Sequence, residues 1–137
     1  MFTFQLLPRL AETDGVGHIH NTHFTVWFEE GRRDLLRLFN PSLTLKKWNL
    51  ILKRYEIEIH SQTAHDIPVT IRTGITAIGK SSFTIRQHAF QEKVHVASAV
   101  TVSIHFDYNT NRPVSIPAAI REKLEQHRVA QDWNGSE

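Results

Sequence analysis

The chain has 137 residues, of which 40% are apolar and 22% charged, so it suits one globular domain rather than a disordered segment. A net charge of +2 is too small to indicate a nucleic-acid-binding face, although it would suit a small anionic ligand. The lack of cysteine excludes disulfides, a cysteine nucleophile and zinc–thiolate sites. We see neither a signal peptide nor an apolar run of the roughly 20 residues that a membrane span needs, so we expect a cytoplasmic protein.

The first part of the chain predicts a short strand followed by one long helix. The strand begins at Phe4, Leu6 and Pro8, and the helix starts from an N-cap at Asn21 or Thr22. The helix is predicted to end at Asn40-Pro41, because proline cannot continue it. Apolar residues recur at helical spacing between these limits: Phe24, Trp27, Phe28, Gly31, Leu35 and Leu38.

Gly31 is an unusual member of this apolar stripe. A glycine in a helix costs about 1 kcal/mol relative to alanine, so a packing reason for it is expected. We predict that another backbone approaches the helix closely at this residue.

The second part of the chain alternates with a period of two and predicts four strands. The alternating segments cover residues 55–60, 69–75, 83–88 and 94–106, with turns at Gly79-Lys80 and Glu92-Lys93. Short turns between strands predict an antiparallel meander. A last helix is predicted from Pro117 through Arg128. We expect a single domain over residues 1–130 and a frayed tail over residues 131–137.

The loop before the long helix contains the residues that point most directly to a function. Asp14 lies beside Gly15 and Gly17, a few residues before a helix N-terminus with unpaired N–H groups and a partial positive charge. Such a helix start can hold an anion or a polarised carbonyl beside a base, which is half of an acyl-transfer site. Taken alone, however, an aspartate at this position is more often a turn-capping residue.

Other polar residues near the loop have plainer interpretations. His18, His20 and His23 form the only histidine cluster, but no distal acidic or histidine partner accompanies them, so we expect no metal site and no cofactor. Glu29 and Glu30 are a rival source of a helical carboxylate. We interpret them instead as an exposed helix face shared with Arg32 and Arg33.

The order of elements resembles the hotdog fold, an α+β fold in which a curled antiparallel sheet wraps around one long central helix. The segment 14–21, DGVGHIHN, followed by FEEGR at 28–32, is similar to acyl-CoA thioesterases of the 4-hydroxybenzoyl-CoA thioesterase type. The segment 78–83, IGKSSF, resembles a turn between two strands of that family. The segment 112–117, RPVSIP, resembles the C-terminal end of the family domain.

The resemblance implies a role for each matching residue. Asp14 corresponds to the catalytic aspartate, and the backbone N–H of Asn21 to the group that polarises the thioester carbonyl. Lys80 corresponds to a basic position that meets the phosphates of CoA. The other substrate-binding positions that the resemblance implies, including the pantetheine path along the two serines, are Gly17, His18, His20, His23, Ser81 and Ser82.

These observations together predict a thioesterase that hydrolyses an acyl-CoA or acyl-carrier-protein thioester. Asp14 would act as a general base or as a nucleophile, and the sequence does not choose between them. Two alternatives stay open: a non-catalytic acyl-thioester-binding hotdog protein, and a hotdog dehydratase, which would need a histidine near the acyl chain.

We also expect a homodimer or homotetramer, because a small sheet leaves its edge strands open. Apolar residues on both sides of the last strand fit burial of both faces, with Ala97 and Ala99 opposite Val96 and Val100.

Overall fold

The computed structural model describes all residues, Met1–Glu137. The strands are β1 (Phe2–Leu6), β2 (Leu50–Ile59), β3 (Val69–Ile78), β4 (Ser82–Gln91), β5 (Val94–Asp107) and β6 (Arg112–Pro113). The helices are α1 (His23–Gly31), α2 (Arg33–Phe39) and α3 (Ala118–Glu125), and single 3-10 turns lie at Leu10–Glu12 and Leu45–Lys47. The predicted α+β architecture is confirmed: one curled antiparallel sheet packs around α1.

The sheet has the strand order β1-β3-β4-β5-β2, and the short β6 pairs with the end of β5. The strands β3, β4 and β5 form the predicted meander, with tight turns between them. The strand β2 differs from the prediction, because it pairs with β5 and not with β3. Residues 60–68 are too many for a tight hairpin and carry the chain across the sheet instead. As a result, β1 and β2 are the two edges.

The predicted long helix is divided into α1 and α2 at Arg32. The carbonyl oxygen of Phe28, which a continuous helix would bond to the N–H of Arg32, instead accepts a hydrogen bond from Gln87 Nε2 at 2.9 Å. The Arg32 N–H donates to the Glu29 carbonyl at 3.0 Å. A side chain inserted into the helical ladder is a recognised cause of a helix break. The apolar stripe nevertheless continues across the break, since Leu35 and Phe39 are buried.

Gly31 lies next to this break, and its close neighbours are side chains. A Cβ at this position would stand 2.8 Å from Ile71 Cγ2 and 3.2 Å from Gln87 Nε2. A packing reason for Gly31 is therefore found, but the predicted approach of a backbone is wrong, because β3 and β4 approach this residue with side chains.

The long strand β5 places its small side chains against the helices. Ala97, Ala99, Thr101 and Ser103 are buried on this inner face. Val100 lies on the opposite face and is only partly buried within one chain. The burial of both faces that we expected is therefore found only in part.

The C-terminal segment lies on the outer face of the sheet, although we expected it to fray. The helix α3 ends at Glu125, three residues before the predicted limit at Arg128. Beyond it, the Gly135 carbonyl accepts a hydrogen bond from Arg72 Nη1 at 2.8 Å, and Gly135 itself is buried. Gly74 makes room for this segment, because a Cβ there would stand 2.7 Å from Val129. None of the helices is long and apolar enough to cross a membrane.

Candidate active site

The loop that carries Asp14 is a narrow hairpin. The Asp14 N–H donates to the His18 carbonyl at 2.7 Å, and the His20 N–H donates to the Glu12 carbonyl at 2.9 Å. Gly17 stands near the tip with φ +87°, a backbone conformation that glycine adopts without steric cost. The hairpin thus brings the residues of the predicted motif together immediately before α1.

One oxygen of the Asp14 carboxylate is occupied and the other is free. Asp14 Oδ1 accepts hydrogen bonds from the backbone N–H of Val16 at 2.9 Å and of His18 at 3.2 Å. The Val16 hydrogen bond is the main cause that lowers the pKa of Asp14 below its ordinary value of 3.8, against the opposing effect of burial. The carboxylate is therefore ionised at neutral pH. Its Oδ2 makes no hydrogen bond in the chain and can accept a proton or attack an electrophile.

The start of α1 keeps an unused backbone donor beside the loop. The Asn21 N–H has no acceptor within the chain, and Asn21 is exposed. Thr22 occupies the N-cap position, as predicted, but its hydroxyl caps no helical N–H and lies 2.9 Å from His20 Nδ1 instead. No acidic residue lies in the first turn to compete for this positive end of the helix.

Two of the three predicted histidines, His20 and His23, lie at this helix start. His18 forms an isolated bridge with Ala64, which ties the hairpin to the segment before β3. His23 Nδ1 lies 3.7 Å from a carboxylate oxygen of Glu12. The rings of His20 and His23 meet edge to face, with centroids 6.4 Å apart. No group of three or more histidine, cysteine, aspartate or glutamate side chains is arranged to hold a metal ion.

Two cavities adjoin α1. A small one, of about 300 Å³, is bounded by Asn21, Phe24 and residues 59–63. A larger one, of about 640 Å³, begins at Thr25, one helical turn further along α1, and extends along α2. Its walls are mainly apolar and come from α2, the 43–52 segment and β2, with side chains that include Leu36, Leu43, Trp48, Leu50 and Leu52.

The polar groups of the larger cavity include Arg32, which we expected on an exposed helix face. Arg33 pairs with Glu30 at 2.9 Å on the helix surface, as predicted, but Arg32 is only 6% exposed. Arg32 Nη1 donates to Gln87 Oε1 at 3.2 Å, so this arginine belongs to the interior and not to an exposed face. Desolvation lowers the pKa of Arg32, and burial raises the pKa of the neighbouring Tyr55 to about 12.

Lys80, Ser81 and Ser82 lie far from Asp14 within one chain. The Asp14 hairpin contacts the residues before β3, whereas Lys80 follows the end of β3. Ten residues of strand separate these points, which is about 30 Å. Lys80 is exposed, and its side chain makes no hydrogen bond in the chain. Arg121 holds the turn by donating to the Gly79 carbonyl at 2.9 Å.

Glu12 is a feature of this site that sequence reasoning missed. It is 3% exposed, and its carboxylate accepts hydrogen bonds from the Arg9 N–H at 2.7 Å and from Trp27 Nε1 at 2.9 Å. Two signals could have revealed it. Glu12 stands three residues after Arg9, which is the spacing of a capping box, and a buried tryptophan N–H needs an acceptor.

The chain belongs to the Thioesterase-like superfamily, which it matches over residues 8–124. A Bacillus stearothermophilus protein described as a predicted thioesterase is 42% identical, with a TM-score of 0.91 over 94% of this chain and 97% of that one.

Two more distant structures share the fold. One is a thioesterase from Thermus thermophilus complexed with coenzyme A and Zn, 20% identical, with a TM-score of 0.80 over 89% of this chain and 95% of that one. The other is the Staphylococcus aureus protein SAV2348 in complex with CoA, 13% identical, with a TM-score of 0.83 over 96% and 88%. Thioester hydrolysis is the activity that the family and its named members support.

Proposed function

We propose that the protein is an acyl-CoA thioesterase of the 4-hydroxybenzoyl-CoA thioesterase type, which hydrolyses an acyl thioester to the free acid and the thiol. One observation carries this proposal. Asp14 presents an ionised, unoccupied carboxylate oxygen on the hairpin that leads into α1, where the Asn21 N–H has no acceptor. A base beside a free donor is the arrangement that acyl transfer requires.

In the proposed reaction, the thioester carbonyl oxygen accepts a hydrogen bond from the Asn21 N–H. This bond strengthens as negative charge develops on the oxygen, and one such donor contributes roughly 3–4 kcal/mol in comparable sites. Asp14 Oδ2 either removes a proton from the attacking water or attacks the carbonyl itself to form a mixed anhydride, which water then cleaves. In both routes the thiolate leaves and takes up a proton.

We assign the acyl group to the larger cavity. It opens within one helical turn of Asn21, and its mostly apolar walls suit a hydrocarbon or aromatic acyl group. Gly17, His18, His20 and His23 surround the thioester end of this path.

We assign the CoA phosphates to Lys80, and the pantetheine to a path along Ser81 and Ser82. The CoA-bound structures that share the fold favour CoA over a carrier protein as the thiol. Because Asp14 and Lys80 lie at opposite ends of β3, the Lys80 turn that meets the substrate would come from another copy of the chain. A homodimer or homotetramer would then have its active sites between subunits.

The test is release of free thiol from acyl-CoAs of increasing chain length and from aromatic acyl-CoAs. We expect Asp14→Asn to reduce turnover by about 100-fold, the scale of lost general-base help, while leaving the fold intact. The control is Asp34→Asn, an exposed aspartate of α2 without an ion pair, which should keep wild-type turnover. Near-wild-type turnover by a folded Asp14→Asn protein would contradict the proposal. CoA binding without any thiol release would point to a binding protein instead.

A further inference from the structure

Glu12 is a buried carboxylate whose function the proposed chemistry does not yet use. The side chain of Arg9 lies 3.8 Å away, but it is 75% exposed and so shields the charge weakly, and His23 Nδ1 lies 3.7 Å from the same carboxylate. Burial of a carboxylate is unfavourable unless hydrogen bonds compensate for the lost water. The contacts that offset the burial of the Glu12 carboxylate all connect it to the surroundings of Asp14.

Glu12 joins three parts of the site. Its backbone carbonyl accepts the His20 N–H at the base of the Asp14 hairpin. Its Oε1 accepts the Arg9 N–H across the preceding 3-10 turn, and its Oε2 accepts Trp27 Nε1 from the second turn of α1. The hairpin and the helix are therefore connected through one side chain.

The helical end of this connection is rigid. Trp27 is 3% exposed and packs edge to face with Phe24, with ring centroids 5.3 Å apart. The direction of the indole N–H is thus set by the core. The hydrogen bond from this N–H fixes the carboxylate of Glu12, which is only two positions before Asp14.

We propose that Glu12 is a positioning residue, which through Trp27 sets the placement of Asp14 relative to the Asn21 N–H. The inference rests on the proposed thioesterase function. Acyl transfer is sensitive to such placement, because a shift of about 1 Å between reacting groups can reduce turnover by about 100-fold. Glu12→Gln tests this role with little change in size. The amide of glutamine has one acceptor oxygen, so it cannot accept hydrogen bonds from both the Arg9 N–H and Trp27 Nε1 on separate oxygens.

The first experiment measures kcat, KM, CoA affinity and melting temperature. Glu12→Gln and Trp27→Phe should each reduce kcat by about tenfold or more, with KM and CoA affinity within about twofold of wild type. Trp27→Phe removes the donor but keeps an aromatic ring, so it tests the same connection if Glu12→Gln does not fold. The control is Glu122→Gln, an exposed glutamate of α3, which should behave as wild type.

The second experiment combines Glu12→Gln with Asp14→Asn. If Glu12 acts through Asp14, the double variant should keep the residual turnover of Asp14→Asn within about twofold. Turnover losses that multiply would overturn the proposal, as would a wild-type kcat in folded Glu12→Gln and Trp27→Phe proteins.

Amide hydrogen exchange separates this inference from the proposed function. In Glu12→Gln, the Asp14 N–H should exchange faster, while the amides of β3 to β5 keep their protection. If the wild-type protein hydrolyses no acyl-CoA but this exchange still increases, the positioning role stands and the thioesterase proposal fails. If hydrolysis is found and exchange in the hairpin is unchanged, the positioning role fails alone.

Discussion

The two carboxylate oxygens of Asp14 fit both interpretations of this residue, as a turn-capping aspartate and as the base or nucleophile of the proposed reaction. With Oδ1 it binds the N–H groups of Val16 and His18, as a turn-capping aspartate does. With Oδ2 it remains free, as the proposed chemistry requires. The turn-capping hydrogen bonds also lower the pKa of the carboxyl group, so the structural role keeps the reactive form ionised.

Substitution of Lys80 tests whether CoA phosphate reaches the turn between β3 and β4. A lysine is a mobile point charge, and a phosphate contact remote from the thioester contributes to binding more than to chemistry. We expect Lys80→Ala to raise KM for acyl-CoA several-fold, about tenfold at most, with a smaller change in kcat. The effect should diminish at high salt, because exposed charges are screened.

Steady-state kinetics at two ionic strengths measure this effect. Lys93→Ala is the matched control, since Lys93 is also an exposed lysine of a tight turn but lies between β4 and β5. An unchanged KM for Lys80→Ala at low salt would make Lys80 an ordinary surface residue.

Gly31 gives a prediction about stability. Gly31→Ala places a methyl group 2.8 Å from Ile71 Cγ2, so side chains of the sheet must shift. Overpacking of a buried position destabilises a protein by roughly 1–3 kcal/mol, which exceeds the gain in helix propensity. Urea denaturation should show this loss. Gly15→Ala is the control, because nothing lies within 4 Å of a Cβ there; equal stabilities for the two variants would contradict the prediction.

At the scale of elements, one side chain accounts for the division between α1 and α2. Gln87 Nε2 donates both to the Phe28 carbonyl and to Thr73 Oγ1 at 3.0 Å, and Gln87 Oε1 accepts from Arg32. This buried residue of β4 therefore uses two hydrogen bonds to hold the helices against the sheet and a third to bind β3. Buried polar groups are tolerated when they are satisfied in this way.

The C-terminal segment is attached to the sheet by His88. The Trp133 carbonyl can only accept, so His88 Nε2 carries the proton of the 2.9 Å hydrogen bond, and His88 Nδ1 lies 3.0 Å from His95 Nε2. The lowered pKa of His88 keeps this ring neutral at pH 7. Desolvation is the main cause that lowers its pKa from 6.5 to about 4, and the positive charges of His95, Arg86 and His60 act in the same direction.

This arrangement predicts how stability depends on pH. The unfolded chain takes up a proton on His88 near pH 6.5, whereas the folded chain does so only near pH 4. The free energy of unfolding should therefore fall as the pH decreases from 6.5 towards 4, by at most about 1.4 kcal/mol per pH unit for this one group. Urea denaturation between pH 4.5 and about 7.5 measures the slope, and His88→Gln should reduce it. The same slope in both proteins would contradict this assignment.

At the scale of the whole molecule, the open edge formed by β2 predicts an oligomer. The strand has ten residues, and its exposed apolar side chains include Leu52 and Ile59, which are 52% and 50% exposed. An edge of this kind pairs readily with another strand unless it is covered. We expect a second copy to cover β2, since symmetric homodimers are the commonest assemblies.

Analytical ultracentrifugation at micromolar concentration should show no significant monomer. Leu52→Lys places a charge on the edge and should increase the monomer fraction. Thr3→Lys is the control on the other edge strand, β1, and should leave the assembly unchanged. A fully active wild-type monomer would contradict this prediction.

The sequence by itself determined the features that depend on neighbouring residues. Alternation located β3, β4 and β5, because successive side chains of a strand face opposite sides of the sheet. The turns at Gly79-Lys80 and Glu92-Lys93 followed from turn chemistry, and the thioesterase-like class from the motif that begins at Asp14. The motif was also sufficient to propose Asp14 and Asn21 as a pair, because both belong to one segment of eight residues that ends at a helix start.

Only the tertiary structure decided the features that depend on residues far apart in the chain. The partner of β2 is β5, because a long connection permits a crossing that no local signal specifies. The helix breaks at Arg32 because Gln87, 55 residues later, competes for a helical carbonyl. Glu12 is buried because Trp27 supplies a donor from the next element. Each outcome follows from the pairing of a polar group with a distant partner, and local periodicity contains no information about such partners.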